Sequence, residues 1–571
     1  MNAPSPPDLL RLTHRLTRPS LTHFAKFVVA AFALGSVPAA LGSLTSADRA
    51  RAICSSDTSR LPAGSARLLP IGNYRGPSAS LVEQAQRFFD QGLVFGWGFN
   101  FPEAVRSFGA AARLDPACAL CRWGIAWALG PSINHDMQPA DVPAALDAIV
   151  QARANSVPGS RERALIDALA DRYSSKQGAD KDALAGSYAA SMRTLAQRYP
   201  ADPDIAVLAA EAAMNAHAYD YWHADGRAKS WTPQIIAWLD GALKWAPEHP
   251  GAHHYRIHLF EDSRTPERAV ASAEKLGPLA PLAGHLVHMP SHIFFRLGRY
   301  QDAVAANRAA VLADKAYADA SGAVSDYARH NLHYLWASAL WAADDATALD
   351  AADQLADSAR ASAPSDADVL RQHLMAAPLL TRVRLGQWDA IGARSIASEA
   401  AASEAYLGGL TQFARGMAYA GRGDIAGANA ELASLKRSTQ VARGNELTVK
   451  NINQASAVLS VANSLLASSI ATARNMHGDA VRHARLAVSA EDRLASDDPP
   501  LWPVPARHAL ASALLRANRP AEAVNVYRID LKRHPNNCVA LVGVAVAEHA
   551  LRSARGVILS TAQNVAHPPH C

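Results

Sequence analysis

Between Phe88 and Pro116 the chain sets Phe88, Gly92 and Phe95 at helical spacing, then Ala104, Phe108 and Ala111, and closes with Pro116. Large residues flank small ones, so two antiparallel helices can approach closely. The pattern returns around Gly416, Tyr419, Gly423 and Ala428, and again around Ala511, Leu514, Ala523, Tyr527 and Pro535. Gly298, Tyr300 and Ala303 mark another unit, and Gly386 with Trp388 a weaker one. A single hairpin of this kind cannot bury its own apolar face, so its neighbours must stack on it. Alanine recurs on almost every turn and no alternating Val, Ile, Thr or Tyr run stands out, which predicts an all-α chain with no strand of consequence.

This spacing resembles the tetratricopeptide repeat, a helical hairpin of about 34 residues. Pro102 sits just inside the second helix, where its missing N–H costs little. The resemblance implies a right-handed α-solenoid, with the second, fifth, ninth and twelfth positions of each first helix facing a concave groove. Three stretches, HPGAHHYRIHLFEDS, AGHLVHMPSHIFFRLGRY and RHALASALLRANRPAEAVNVYRIDLKRHPNN, look like a group of exported bacterial proteins with such repeats and no established activity. Such proteins usually carry glycine where Cys538 stands, and that departure points to a terminal disulfide with Cys571. The expected organisation is an export segment at 1–42, an irregular linker at 43–78 and repeat-like helices at 79–200. A histidine-rich central block follows at 201–345, then repeats at 346–440 and a C-terminal block with its tail at 441–571. Segments 140–200 and 440–495 read as helical but irregular.

Targeting follows from the first forty residues. Arg11, Arg15, Arg18 and Lys26 precede an apolar run from Phe27 to Leu34, and small residues at Val37, Ala39, Ala40 and Gly42 offer cleavage points. A periplasmic or secreted location is expected. An uncleaved segment from Phe27 to Leu44, about the minimum length to span a bilayer, is the one route to a membrane. The formal charge is +5, much of it in this N-terminal segment, and no basic stripe suits nucleic acid. Five cysteines, Cys54, Cys118, Cys121, Cys538 and Cys571, leave at least one unpaired within the chain.

The chain has 22 histidines, and nine lie between His249 and His333. With Ala269 as the small residue of a second helix and Pro281 as the closing proline, one unit opens at Pro250. Its first helix then presents His254, His258 and Glu261 in the fifth, ninth and twelfth positions. Ala303 takes the same role 34 residues on, so the next first helix carries His285, His288 and His292 in the second, fifth and ninth. His254 matches His288, and His258 matches His292, on helices roughly 8–10 Å apart. Imidazoles from both sides can share an ion at about 2.0–2.1 Å per zinc–nitrogen bond. Pro290 kinks the second of these helices. His330 and His333, three apart on a later helix, are candidates to complete the site.

The expected metal set is therefore His254, His258, Glu261, His285, His288, His292, His330 and His333, holding Zn, Cu or Fe. Met289 lies about 100° round the helix from His288 and is not counted. Tyr255 and Glu261 are candidates for proton transfer beside an open ion. A second reading stays open: a metal-free groove that binds a protein or peptide through the same residues. Cys118 and Cys121 form a CxxC at a helix start, with Asp115 as expected cap and Pro116 in the first turn. A redox pair, a local disulfide or buried thiols all fit, and His135 and Met137 extend a weaker soft-metal possibility. Tryptophans 97, 123, 127, 222, 231, 238 and 245 read as packing residues. No phosphate loop, nucleophile elbow or HExxH is present, so hydrolase and nucleotide chemistry have no support.

Overall fold

The computed structural model describes residues 66–361, 369–393, 405–450, 452–495 and 499–554. The expected export segment, Cys54 and Cys571 lie outside them. The chain is all-α, a solenoid of helical hairpins. Glu83–Trp97 with Phe101–Leu114 is the first clear pair, and Pro520–Arg533 with Cys538–Ala554 closes the described array. Asn100 caps the second helix by accepting from the Glu103 N–H at 3.3 Å, with Pro102 in the first turn as the spacing implies. The irregular stretches resolve into helices, including Val142–Ala154, Arg161–Ala170 and Lys181–Arg198, then Ala455–Ala473 and His477–Glu491. Ala455–Ala473 is apolar and long enough to cross a membrane by composition, but Val458, Leu459, Val461, Ala462 and Leu466 are buried in the helical core.

Two local expectations change. A two-residue antiparallel ladder pairs Thr448 with Gln454 and Val449 with Asn453. The helix after Pro116 begins only at Ala119, and its cap is Cys118, whose sulfur accepts from the Cys121 N–H. Of the tryptophans, Trp97, Trp123 and Trp127 are buried in the core, whereas Trp245 is exposed.

A solenoid of independent hairpins would touch only its neighbours in sequence. Here the array coils back on itself. Tyr317 donates to Glu103 at 2.9 Å across 214 positions, and Asn134 donates to the Tyr327 hydroxyl at 3.1 Å across 193. Farther along, Arg384 donates to the Pro503 carbonyl at 2.6 Å, and the Trp341 and His534 rings lie 4.2 Å apart. Gly298, in the left-handed region at φ 71°, lets the backbone at Pro535 approach where any side chain would collide.

The first hairpin thus lies over helix Pro250–Glu261. Contact is close enough to require glycine at 251, where a Cβ would stand 2.7 Å from the Trp97 ring. Gly251→Ala gains helix propensity but overpacks this contact, so a net loss of roughly 1–3 kcal/mol is expected. Urea denaturation reads it as a lower midpoint at unchanged slope; an unchanged or higher midpoint would contradict the packing.

Candidate metal centre

Helix Pro250–Glu261 starts where the repeat register places it. Its two outermost histidines are structural. His249 accepts from the Ala252 N–H at 3.2 Å as a cap, and His253 bridges Ser272 Oγ and the Pro247 carbonyl. His254 and His258 instead face inward, both buried.

The next first helix is divided by proline into Gly284–His288 and Pro290–Arg296, joined through Met289 in right-handed helical geometry. Pro290 occupies the first position of the second piece, where a helix tolerates it. His288 and His292 therefore stay on one face, while His285, a turn earlier, leans toward the preceding hairpin.

The result is two clusters, each with three nitrogens within 4.8 Å of one another: His254, His258 and His285, and His288, His292 and His330. This differs from the cross-helix pairing expected from register. His254 and His258 keep company with His285, not with His288 and His292. The clusters adjoin, with ring centroids 5.8 Å apart for His285 and His288 and 6.3 Å for His258 and His292. His333 belongs to neither. It stacks on Trp336 and lies 6.3 Å from His373, because three residues of helix turn it away from His330.

Glu261 sits behind the rings. His258 Nδ1 is 2.8 Å from one carboxylate oxygen and His292 Nδ1 is 2.7 Å from the other, so one side chain holds a ring from each cluster. Both carboxylate oxygens thus face imidazoles, so Glu261 stands behind the rings and outside the two groups of converging nitrogens. Burial alone would raise its carboxyl pKa, but the two imidazoles outweigh that and hold it well below the usual carboxylate range.

His254 Nδ1 donates to the Trp97 carbonyl at 2.6 Å, and His288 Nδ1 to Asn307 Oδ1 at 2.6 Å. The Asn307 amide is oriented by its own NH2, which donates to the Ala303 carbonyl at 2.8 Å. Three rings are thus hydrogen-bonded through Nδ1 to acceptors, and His292 Nδ1 stands at ion-pair distance from Glu261; a neutral ring held in this way carries its proton on Nδ1 and turns the Nε2 lone pair inward. Histidines that bind metals are held in this way.

The Nε2 atoms converge. His288 Nε2 lies 2.8 Å from His292 Nε2 and 3.1 Å from His330 Nε2. His288 and His292 thus meet Nε2 to Nε2, a contact that one shared proton or one bound cation can bridge. In the other cluster His254 Nε2 is 3.2 Å from His285 Nε2, and buried His258 Nε2 has no hydrogen-bond partner. Three nitrogens around one ion at the usual bond length stand about 3.3–3.6 Å apart, so a small outward relaxation suffices. Burial first, then neighbouring imidazoles, hold His254 and His285 well below the ordinary histidine pKa. Neutral rings are what a metal needs.

The walls are aromatic. Phe99 packs on His254, His258 and His285 at 4.6, 5.8 and 5.4 Å between centroids. Its φ is 57°, a left-handed conformation that costs a non-glycine residue about 1 kcal/mol or more. Tyr327 covers His285 at 4.1 Å, and Tyr334 lies 4.7 Å from His292. Sequence spacing gave no sign of Phe99, Asn307, Tyr327 or Tyr334, since their roles arise from coiling of the array. The expected open groove is closed at this point: five of the six rings are buried, and His330 alone is partly exposed.

The weaker candidates separate cleanly. Cys118 and Cys121 form a disulfide, so neither sulfur is a thiolate ligand. His135 is bonded to Ser132 Oγ at 2.8 Å and packs on Phe101. Tyr255 is buried beside Trp97 and Phe99, and burial raises its hydroxyl pKa well above normal, which opposes proton transfer.

No protein-family model matches the sequence, and no curated protein does. Among solved structures, the TPR domain of P58(IPK) is similar over 82% of this chain and 99% of its own, at 11% identity and a TM-score of 0.22. Yeast Tom70 is similar over 83% of this chain and 90% of its own, at 10% identity and a TM-score of 0.26. Both are at too low a TM-score to extend to site or partner.

Behind the second cluster, Asp314 accepts from Asn331 Nδ2 at 2.7 Å, next to His330. Burial lifts its carboxyl to about 7. An acid whose folded pKa exceeds its unfolded value is most favourable below about pH 4, and stability then falls until about pH 7. Asp314→Asn should abolish up to a few kcal/mol of this decline. Denaturation midpoints at pH 4.5 and 7.5 check it: equal pH dependence in both proteins would refute the assignment.

Proposed function

We propose that this chain is an exported transition-metal-binding protein whose buried histidine centre holds the ion. One observation carries the reading: His288 Nε2 lies 2.8 Å from His292 Nε2 and 3.1 Å from His330 Nε2, so three ring nitrogens converge on one point while His288 Nδ1 rests on Asn307. Buried nitrogen donors that converge in this way satisfy one another only in part, and a bound cation would engage all three. Neutral imidazole suits zinc, copper and iron, in keeping with the metals expected from the sequence.

Export rests on the basic and apolar N-terminal pattern and is supported by the Cys118–Cys121 disulfide, which suits an oxidising compartment. A protein or peptide partner remains compatible with a repeat scaffold. It would bind elsewhere on the surface, since the Phe99 and Trp97 side of the first hairpin lies over these rings.

Metal analysis of the chain reconstituted separately with Zn, Cu and Fe tests the reading. At least one should bind stoichiometrically, and His258→Ala with His292→Ala should lower occupancy at least tenfold while circular dichroism stays helical. Failure of all three metals to bind the intact protein overturns it.

A further inference from the structure

Going beyond the metal centre, we infer that His333, His373 and Lys450 form a separate site that binds a small monoanionic carboxylate.

Two nitrogens carry the inference. His333 Nε2 and His373 Nε2 are buried and have no hydrogen-bond partner among the described residues. A buried polar atom left unmet is costly, and a ligand that supplies a partner removes the cost. The two rings come from successive first helices of the array, Ala328–Ala342 and Val369–Leu385, with centroids 6.3 Å apart. A carboxylate accepting at about 2.8–3.0 Å from each nitrogen can span such a gap with its two oxygens. Tyr406, on the next first helix, meets His373 Nδ1 through its hydroxyl at 3.1 Å. With the phenol donating there, the imidazole proton sits on Nε2, which then needs an acceptor. Trp336 stacks on His333 at 5.6 Å and gives the site an apolar wall.

Charge sets the ligand class. The strand Thr448–Val449 packs on helix Val369–Leu385, and the chain turns at once, with the Ile452 N–H on the Val449 carbonyl at 3.0 Å. Lys450 stands in that turn, in the left-handed region at φ 51°. Burial first, and then the Lys450 charge, draw both imidazoles down, His333 well below the ordinary histidine pKa and His373 to about 3. Both rings are therefore neutral. A cation between them would meet Lys450 as a like charge, whereas an anion meets it as a counter-ion. Lys450 has contacts of its own; the two unmet nitrogens make the site, and the lysine decides between cation and anion. A dianion such as phosphate would bring a second negative charge into the same enclosure, where desolvation opposes it.

Place follows from the helix. His330, one turn before His333, belongs to the second histidine cluster, and the Lys450 charge reaches it too. A carboxylate bound by His333 and His373 therefore stands beside the metal centre without sharing its nitrogens.

The test uses the full metal-free chain, isotope-labelled at its histidines, so its outcome is independent of whether the protein binds a metal. Acetate and inorganic phosphate are titrated separately and the ring resonances followed by nuclear magnetic resonance, with His333→Gln and His373→Gln assigning the two signals. Acetate should shift both Nε2–H resonances saturably and together. Lys450→Gln, at a partly exposed turn, should weaken acetate about tenfold or more, as loss of a charged partner implies, and Lys450→Arg should recover most of that loss. Phosphate should bind more weakly than acetate. If Lys450→Gln loses helical signal, the shifts in the native protein decide. Absence of a saturable shift at these two rings, an unchanged affinity in a folded Lys450→Gln protein, or a preference for phosphate overturns the inference.

Discussion

Glu261 bridges the Nδ1 atoms of His258 and His292, and the rest of the centre is organised by that contact. Several of the six imidazoles that converge here are held by the far nitrogen. One carboxylate serves two of them, while the Trp97 carbonyl and the Asn307 amide serve two more. Each anchor dictates which nitrogen carries the proton, and so which presents a lone pair. Without a negative charge at 261 the tautomers of both bridged rings would be undetermined.

Those anchors come from elements far apart in sequence. The Trp97 carbonyl is free to accept because helix Glu83–Trp97 ends there, leaving terminal carbonyls without helical donors. Phe99, two residues later, takes the left-handed backbone that closes this helix end, with its N–H on the Gly96 carbonyl and the Asn100 N–H on that of Phe95. That turn carries its ring onto three imidazoles. Gly251 removes the side chain that would hold the two helices apart. Closure of the array therefore does chemical as well as packing work, since it excludes water from the rings and so strengthens every charge interaction among them.

The disulfide and the histidine centre lie in different parts of the same helical array. Cys118 and Cys121 are three residues apart and buried, so their link steadies one helix start without joining distant segments. Sulfur has no part in the centre, whose donors are all nitrogen. That donor set differs from the thiolates of structural zinc sites.

Small and aromatic residues repeating over about 34 positions were enough to read helical hairpins, the start of the helix at Pro250 and a concentration of histidines on two adjacent first helices. These are local properties, set by the 3.6-residue turn and by the need of each hairpin to bury one face. Register could not say which rings meet. His285 joins His254 and His258, while His288 and His292 join His330, because the proline-divided helix sits between two hairpins and offers each a different edge. Nor could spacing separate His330 from His333, whose fates differ by three residues of helix. Register found Glu261 but could not say whether it stands among the rings or behind two of them, since both have the same position in sequence. Phe99 and Asn307 were silent altogether. Their contacts depend on how tightly the array coils, a sum of small packing angles along the whole chain that no single repeat encodes.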